Sequence, residues 1–393
     1  MTTKKVLTTV SAILLHLAVG SIYAWSVVIT PIMEKTGWSQ FQMIIVFGVT
    51  LLLLGFSTLL FSDKIKHLGP RKSCTISFFL FLLGMLISAI AVNYRIYPLL
   101  ILGYGVILGT GTGIAYLTPI PVLMTWYDKY KGIATGMVVT GFGMSSIIAS
   151  YGYHYCYIAG LTEHMFLIVG GLMSLLMIPS MFFLNPKEDF VQETVCEKTK
   201  DLKSLLRDSN FRLLWLLFFI NITVGIGILS SLSPMAQQLF KVPAFEAARL
   251  VGIAGFINGI ARFLWSFLSD IIGRPLTTVA LIVSEFIAII SFLYFEDYLM
   301  FKGCVLVIIA CYGGMFAIMP SYVADLFGVQ RMKEIFSTIL SAWGIAGFLA
   351  PLSLTLFYYL FNFYNHFFYG SLILTCINLV VVMFLAERNV TKI

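Results

Sequence analysis

The chain has 393 residues, of which 59% are hydrophobic and only 11% charged, with a formal net charge of +7. A water-facing surface needs about 25% charged residues, so a soluble globular domain is excluded, and a series of membrane spans of ~20 residues each fits instead. The positive charge does not point to nucleic acid: nineteen Lys and Arg fall on one side of the topology below and five on the other, the asymmetry that marks a cytoplasmic face.

In chain order, apolar spans are read at 6–31, 41–62, 73–93, 97–125, 131–153, 163–184, 210–237, 246–268, 275–295, 303–326, 333–359 and 364–386. The first runs from Val6 to Pro31 with no small-residue cleavage site at its end, so it is taken as a span and not as a cleaved signal. Twelve spans put both termini on the basic, cytoplasmic side. The expected fold class is therefore an all-α integral membrane protein with two six-helix bundles: an N-terminal bundle over 1–184, a cytoplasmic linker over 185–209 and a C-terminal bundle over 210–393. Within the linker, Lys200 to Asn210 is patterned as a short amphipathic surface helix.

The two halves rhyme at one place. SDKIKHLGPRK (62–72) follows the second span, and SDIIGRP (269–275) follows the eighth. A repeated six-helix unit is the layout of carriers that rock two halves about a central site. In the later loop Asp270 stands three residues before Gly273, with Arg274 next, which suits a charge latch. The earlier loop has Asp63 six residues before Gly69 and Lys66 at the three-residue position, so its latch is expected to be altered.

Glycines at spacing three to four mark close helix contacts: Gly105, Gly109 and Gly113 in the fourth span, Gly132, Gly136, Gly141 and Gly143 in the fifth, and Gly252, Gly255 and Gly259 in the eighth. Pro119, Pro121, Pro320 and Pro351 lie within spans and are expected to kink or break them. The six cysteines are scattered without a CxxC pair and read as small apolar filler. The GTGTG run at 109–113 has neither the preceding strand nor the following lysine of a phosphate loop. Neither an enzyme nor a cofactor is expected.

Arg262 stands out. It lies in GFINGIARFLWSF with no acidic residue within a helical turn. A permanent charge at membrane depth costs roughly 2.5–3.5 kcal/mol on insertion scales and endures only against a partner or a watery cavity. A guanidinium fork matches a carboxylate, so one reading makes the partner a substrate anion; the other makes it an acidic residue of a neighbouring helix. Asn258, four residues earlier, shares the helix face of Arg262. It is expected either to orient the guanidinium and meet a substrate oxygen or to bond another helix.

Four stretches together carry a resemblance: GSIYAWSV (20–27), GTGTGIAYLTPIPVLMTWYDKYKGIATGMVVTGFG (109–143), NGIARFLWSFLSDIIGR (258–274) and SAWGIAGFLAP (341–351). The set resembles the oxalate/formate antiporter-like branch of the major facilitator superfamily and is similar, more distantly, to the monocarboxylate transporters. That resemblance implies a central cavity, alternating access, and an eighth-span arginine, here Arg262, gripping a carboxylate. It also implies that Tyr116 and Tyr322 point into the cavity from facing halves. Its oxalate-specific member pairs the arginine with an eleventh-span lysine; this chain has Trp343 there, so one cation and a monocarboxylate such as lactate, pyruvate, formate or acetate are expected. Trp343 is read as a wall or lid, with Tyr23 and Trp25 as further candidates from the first span.

For proton coupling the candidates are His16, His154, Glu285 and Asp325, and Arg262 itself couples if an anion must neutralise it before the cavity closes. The expected function is a monomeric secondary carrier of a small carboxylate in a bacterial cytoplasmic membrane, by proton symport or anion exchange. Its partners are the substrate, protons and lipid. The rivals are an oxalate-type dicarboxylate exchanger, a proton-driven drug or sugar carrier, and a non-transporting nutrient sensor. A drug carrier would carry an acidic residue at membrane depth in the first or eighth span, and neither does.

Overall fold

The computed structural model describes residues 3–127, 131–187, 202–294, 297–361 and 363–390. The described residues are helical with no strand, and eleven helices are long and apolar enough to cross a membrane. The first span is α1 (Thr3–Val19) and α2 (Trp25–Thr36), and the second and third are α3 (Gln40–Leu68) and α4 (Pro70–Asn93). The fourth is compound: α5 (Tyr97–Leu100), a π-helical stretch over Ile101–Leu108, α6 (Gly109–Leu117) and α7 (Pro119–Trp126). Then come α8 (Lys131–Ile158), α9 (Met165–Phe183) and the short α10 (Leu202–Arg207). The second half holds α11 (Ser209–Phe240), α12 (Ala244–Ile272), α13 (Arg274–Tyr294), α14 (Tyr298–Phe327), α15 (Val329–Phe361) and α16 (Asn365–Val390). The fifth span, α8, completes the set of twelve by length, 28 residues. Its sequence is rich in Gly, Ser and Thr, the residues that let helices pack closely.

Several elements differ from the sequence expectation. The first span is not one helix: a 3-10 turn over Gly20–Ala24 divides it. At Gly20 the chain presses on α8, and a Cβ there would stand 2.2 Å from the Phe142 carbonyl oxygen. Backbone cannot yield as a side chain does. Gly20→Ala therefore destabilises by about 1–3 kcal/mol or more, read as a lowered melting temperature of the purified protein.

At Pro119 the fourth span loses only the proline's own hydrogen bond: Thr118 keeps helical angles, φ −65° and ψ −49°. Pro320 and Pro351 do not break theirs either: both sit inside continuous α14 and α15. In a bundle, neighbouring helices re-satisfy the backbone groups a proline frees. The expected surface helix is only Leu202–Arg207. Asn210 instead belongs to α11, because the Asp208 carboxylate caps that helix, accepting from the amides of Asn210 at 2.9 Å and Phe211 at 3.3 Å. Lys200 lies outside the described residues.

The glycines place the seam between the halves. At one side of it α8 meets α12: a Cβ on Gly143 would fall 2.9 Å from Gly259 Cα. At the other α3 meets α15: a Cβ on Gly55 would fall 2.7 Å from Gly344. Within the first half, Gly109 and Gly113 press α6 onto the backbone of α3 at Thr50 and Leu54. Small residues let backbones touch, and that contact replaces the hydrophobic drive that lipid does not provide. Gly136 has nothing within 4 Å and is not a contact glycine.

The charge latch is present in the second half. Arg274 pairs with Asp270 at 2.7 Å and with Asp325 at 3.2 Å, and also donates to the Ser269 hydroxyl. Asp325 is thus an anchor of this latch, more than half exposed at 58%, and leaves the set of proton-carrying candidates. The side chains of Asp63 and Lys66 lie outside the described part. At the end of the bundle away from the termini the halves are tied by a polar bond, Gln238 Nε2 donating to Gln40 Oε1 at 3.1 Å, and Tyr364 of the second half fixes Gln238 by donating to its Oε1 at 2.6 Å.

Candidate functional site

The centre of the molecule is organised around Arg262, which is fully buried. Asn258, one turn earlier on α12, accepts from its Nε at 3.1 Å. Nη1 donates to the Val139 carbonyl of α8 at 3.1 Å. Phe316 and Phe142 flank the guanidinium, with ring centroids 5.0 and 6.0 Å from Cζ, a cation–π setting on both sides. Among the described residues no carboxylate pairs with Arg262; the ion pairs lie elsewhere. Nη2 has no well-formed hydrogen bond.

Two glycines make room for this arrangement. A Cβ on Gly313 of α14 would stand 2.3 Å from Asn258 Oδ1, and one on Gly143 would stand 3.3 Å from Arg262 Nε. Gly313→Ala therefore pushes Asn258 off the guanidinium. Because the Cβ would also stand 2.6 Å from the Asn258 backbone oxygen, the expected result is both a lowered melting temperature and a disturbed Arg262–Asn258 pair, read against Gly136→Ala, where the added Cβ meets nothing within 4 Å.

An aromatic shell closes the site from both halves. Tyr23, in the 3-10 turn, meets Tyr312 of α14 hydroxyl to hydroxyl at 2.6 Å, so the two halves share a hydrogen bond beside Arg262. Tyr23 sets its edge on Phe142 at 5.0 Å. Tyr116 stacks on His16 at 5.0 Å, meets Phe142 at 5.2 Å and reaches Trp343 of α15 at 5.2 Å. Trp343 packs on Phe316 at 4.8 Å. Tyr23, Tyr116 and Tyr312 are all within the electrostatic reach of the guanidinium.

The polar balance of this cluster is lopsided. Arg262 Nη2, Asn258 Nδ2 and Trp343 Nε1 are buried without a well-formed hydrogen bond, and the Tyr116 and Tyr23 hydroxyls lie close enough to Arg262 to interact with it directly. The first three are donors only. A buried donor left unmet costs about 1–3 kcal/mol, so the cluster calls for an acceptor, and a negatively charged one suits it best. Arg262, Asn258, Tyr116 and Trp343 are 0% exposed and Tyr23 is 1% exposed. The conformation is closed around them, and access requires the halves to separate.

Of the residues singled out in the sequence, the structure gathers Arg262, Asn258, Tyr116, Trp343 and Tyr23 in one place. Tyr322 is not with them. It follows Tyr312 by ten residues, about 15 Å along the helix, and the charge acting on it is that of Asp325. The α14 phenol at the level of Arg262 is Tyr312, which the sequence reading missed. Its only signal was the adjacent Gly313, which marks where α14 approaches α12.

Trp25 is a packing residue. Its Nε1 donates to the Met43 carbonyl at 3.2 Å, and its ring lies on Phe47, Tyr104 and Phe166 inside the first bundle. Glu285 is buried in the second bundle and accepts from Asn221 Nδ2 at 3.0 Å, a link from α13 to α11. His154 lines a narrow cleft with Val27, Pro31, Ser233 and Gln237 near the end of the bundle away from the termini. His16 remains at the centre, with Nε2 3.0 Å from the Tyr116 carbonyl. Cys74, Cys156, Cys304 and Cys311 are buried free thiols and Cys376 is exposed; Cys196 lies outside the described residues.

Comparison with known proteins places this architecture. The uncharacterized MFS-type transporter YhjX of Escherichia coli (strain K12) is 23% identical over 345 residues, 86% of this chain and 85% of its own length. The oxalate:formate antiporter of Oxalobacter formigenes is 23% identical over 338 residues, 81% of this chain and 77% of its own. A shorter stretch of 85 residues, 22% of this chain, is 31% identical to apicoplast pyruvate carrier 1 of Toxoplasma gondii and spans 15% of that protein. The sequence profile of the Major Facilitator Superfamily matches residues 10–351, and the chain, with eleven helices among its described residues long and apolar enough to cross a membrane, belongs to that superfamily of membrane transporters.

Proposed function

We propose that this transporter carries a small monocarboxylate of the lactate, pyruvate, formate or acetate kind by alternating access. The observation that carries the reading is the buried Arg262, without a carboxylate partner among the described residues and ringed by donors without a well-formed hydrogen bond. The substrate carboxylate takes Nη2 of Arg262 and Nδ2 of Asn258. Tyr116, Tyr23 and Trp343 form the wall around its short carbon tail. Tyr322 belongs to the path toward the termini and not to the carboxylate's own shell. With the cation neutralised, closing the aromatic shell over the site costs less, and the halves rock about the glycine seams. The N-terminal bundle (1–184), the linker (185–209) and the C-terminal bundle (210–393) are the moving parts. The chain works as a monomer in the cytoplasmic membrane, with both termini inside.

Support for the substrate class also comes from the relatives, one named an oxalate:formate antiporter and another a pyruvate carrier. The oxalate reading has the first of those names in its favour. Against it stands Trp343, apolar-walled by Phe316, Phe142 and Tyr116, where a second cation would be needed. A thermal-shift screen of the purified protein with lactate, pyruvate, formate, acetate and oxalate decides between them. A ligand of the native state raises the melting temperature by mass action. Monocarboxylates are expected to give the shift; a response to oxalate alone, or to none, rejects the reading.

A further inference from the structure

His16 is the one titratable imidazole inside the central cluster, and the proposed substrate path leaves it unused. It is fully buried. Nε2 faces the Tyr116 carbonyl of α6 at 3.0 Å, which makes that nitrogen the donor and leaves Nδ1 as an acceptor without a partner. The Val138 carbonyl of α8 also faces the ring. The pocket is therefore lined by two carbonyl acceptors, and a doubly protonated imidazole donates from both nitrogens.

Its tie to Arg262 is physical. Arg262 holds the Val139 carbonyl, the neighbour of the one that faces His16. The Phe142 ring lies between them, 5.8 Å from the imidazole centroid and 6.0 Å from the guanidinium carbon. Arg262 acts on His16 through its charge. The other titratable groups facing His16 are Tyr116, stacked on it from α6, and Tyr23 further along its own span. At this level α8 presents Phe142 and backbone, and α7 and α9 contain no titratable side chain.

We propose that His16 is the proton-binding site of this carrier and that proton and carboxylate bind together, which makes it a symporter. The inference rests on the anion reading of Arg262. Burial is the first obstacle to a charge on His16, relieved only where the cavity opens to water, and with Arg262 unliganded a proton there would add a second cation to the cluster, where like charges repel strongly. A carboxylate on Arg262 removes that repulsion, and Nδ1 takes a proton from water on the open side, its N–H turning to the Val138 carbonyl. On the far side the anion leaves, the repulsion returns and the proton follows it to water. By linkage each ligand tightens the other by the same factor, on the order of tenfold.

The test uses the full chain, with radiolabelled lactate and pyruvate as probes. In proteoliposomes, an acid-outside gradient is expected to drive accumulation by the wild type. In weakly buffered detergent solution, pyruvate binding is expected to take up protons. His16→Gln is expected to retain counterflow yet lose both the gradient-driven accumulation and the proton uptake. If the glutamine variant does not fold, His16→Asn carries the same comparison. Wild-type binding without proton uptake overturns the proposal, as does a His16 variant that responds to the gradient like the wild type. Absence of both binding and counterflow in the wild type overturns the Arg262 reading beneath it, so the two failures are distinct.

Discussion

Arg262→Lys abolishes most of the thermal stabilisation by small carboxylates, and Arg262→Met abolishes all of it while the ligand-free protein melts within a few degrees of the wild type. The first half follows from geometry. Lysine keeps the charge but presents one compact ammonium where the guanidinium offers a rigid fork. A hydrogen bond to a charged group contributes about 1.5–3 kcal/mol, so losing one prong weakens binding roughly 10- to 100-fold. The second half weighs two opposing quantities. Methionine relieves a buried cation that costs roughly 2.5–3.5 kcal/mol at membrane depth. It also removes the bonds to Asn258 Oδ1 and the Val139 carbonyl. These are of similar size, and the cation–π contact with Phe316 is partly replaced by a thioether on the ring. A core ion pair behaves otherwise, since removing one partner costs about 3–5 kcal/mol. A large drop in melting temperature for Arg262→Met would assign the arginine to scaffold and not to cargo.

Much of the fold was legible because lipid imposes a simple code. A span must be apolar for ~20 residues, and the apolar runs stand out between short polar breaks. Arg262 and Asn258 were legible for the opposite reason: a fixed charge inside such a run has no cheap explanation, and a spacing of four places the amide on its face. What stayed hidden depends on contacts between distant parts of the chain. The turn at Gly20–Ala24 is as apolar as the helices on either side, so no run ends there; only the approach of the Phe142 backbone explains it. Tyr312, Phe142 and Phe316 are aromatics in a chain that is 15% aromatic, and nothing local separates them from Trp25 or Tyr104, which merely pack. Tyr322 is placed in the cavity by the resemblance alone, yet α14 runs unbroken through Pro320 and carries Tyr322 about 15 Å beyond Tyr312. Asp325 reads in the sequence as a free carboxylate, yet Arg274 at the start of α13 holds it.

Trp343→Lys is expected to turn preference toward dicarboxylates while destabilising the empty protein. Trp343 is fully buried in α15, against Phe316 at 4.8 Å and Tyr116 at 5.2 Å, and so shares its neighbours with Arg262. A lysine there loses indole packing and adds a second cation beside the first, at roughly 2.5–3.5 kcal/mol for the charge alone. The ligand-free variant therefore melts several degrees lower. Oxalate brings two negative charges and satisfies both cations, whereas pyruvate leaves one unmet. The charge-assisted bond gained, about 1.5–3 kcal/mol, shifts the oxalate-to-pyruvate affinity ratio roughly 10- to 100-fold toward oxalate. Isothermal titration of wild type and variant with both acids measures that ratio. A variant that is less stable but keeps the wild-type ratio would show that residue 343 does not face the substrate, and that the preference for one negative charge is set elsewhere in the shell.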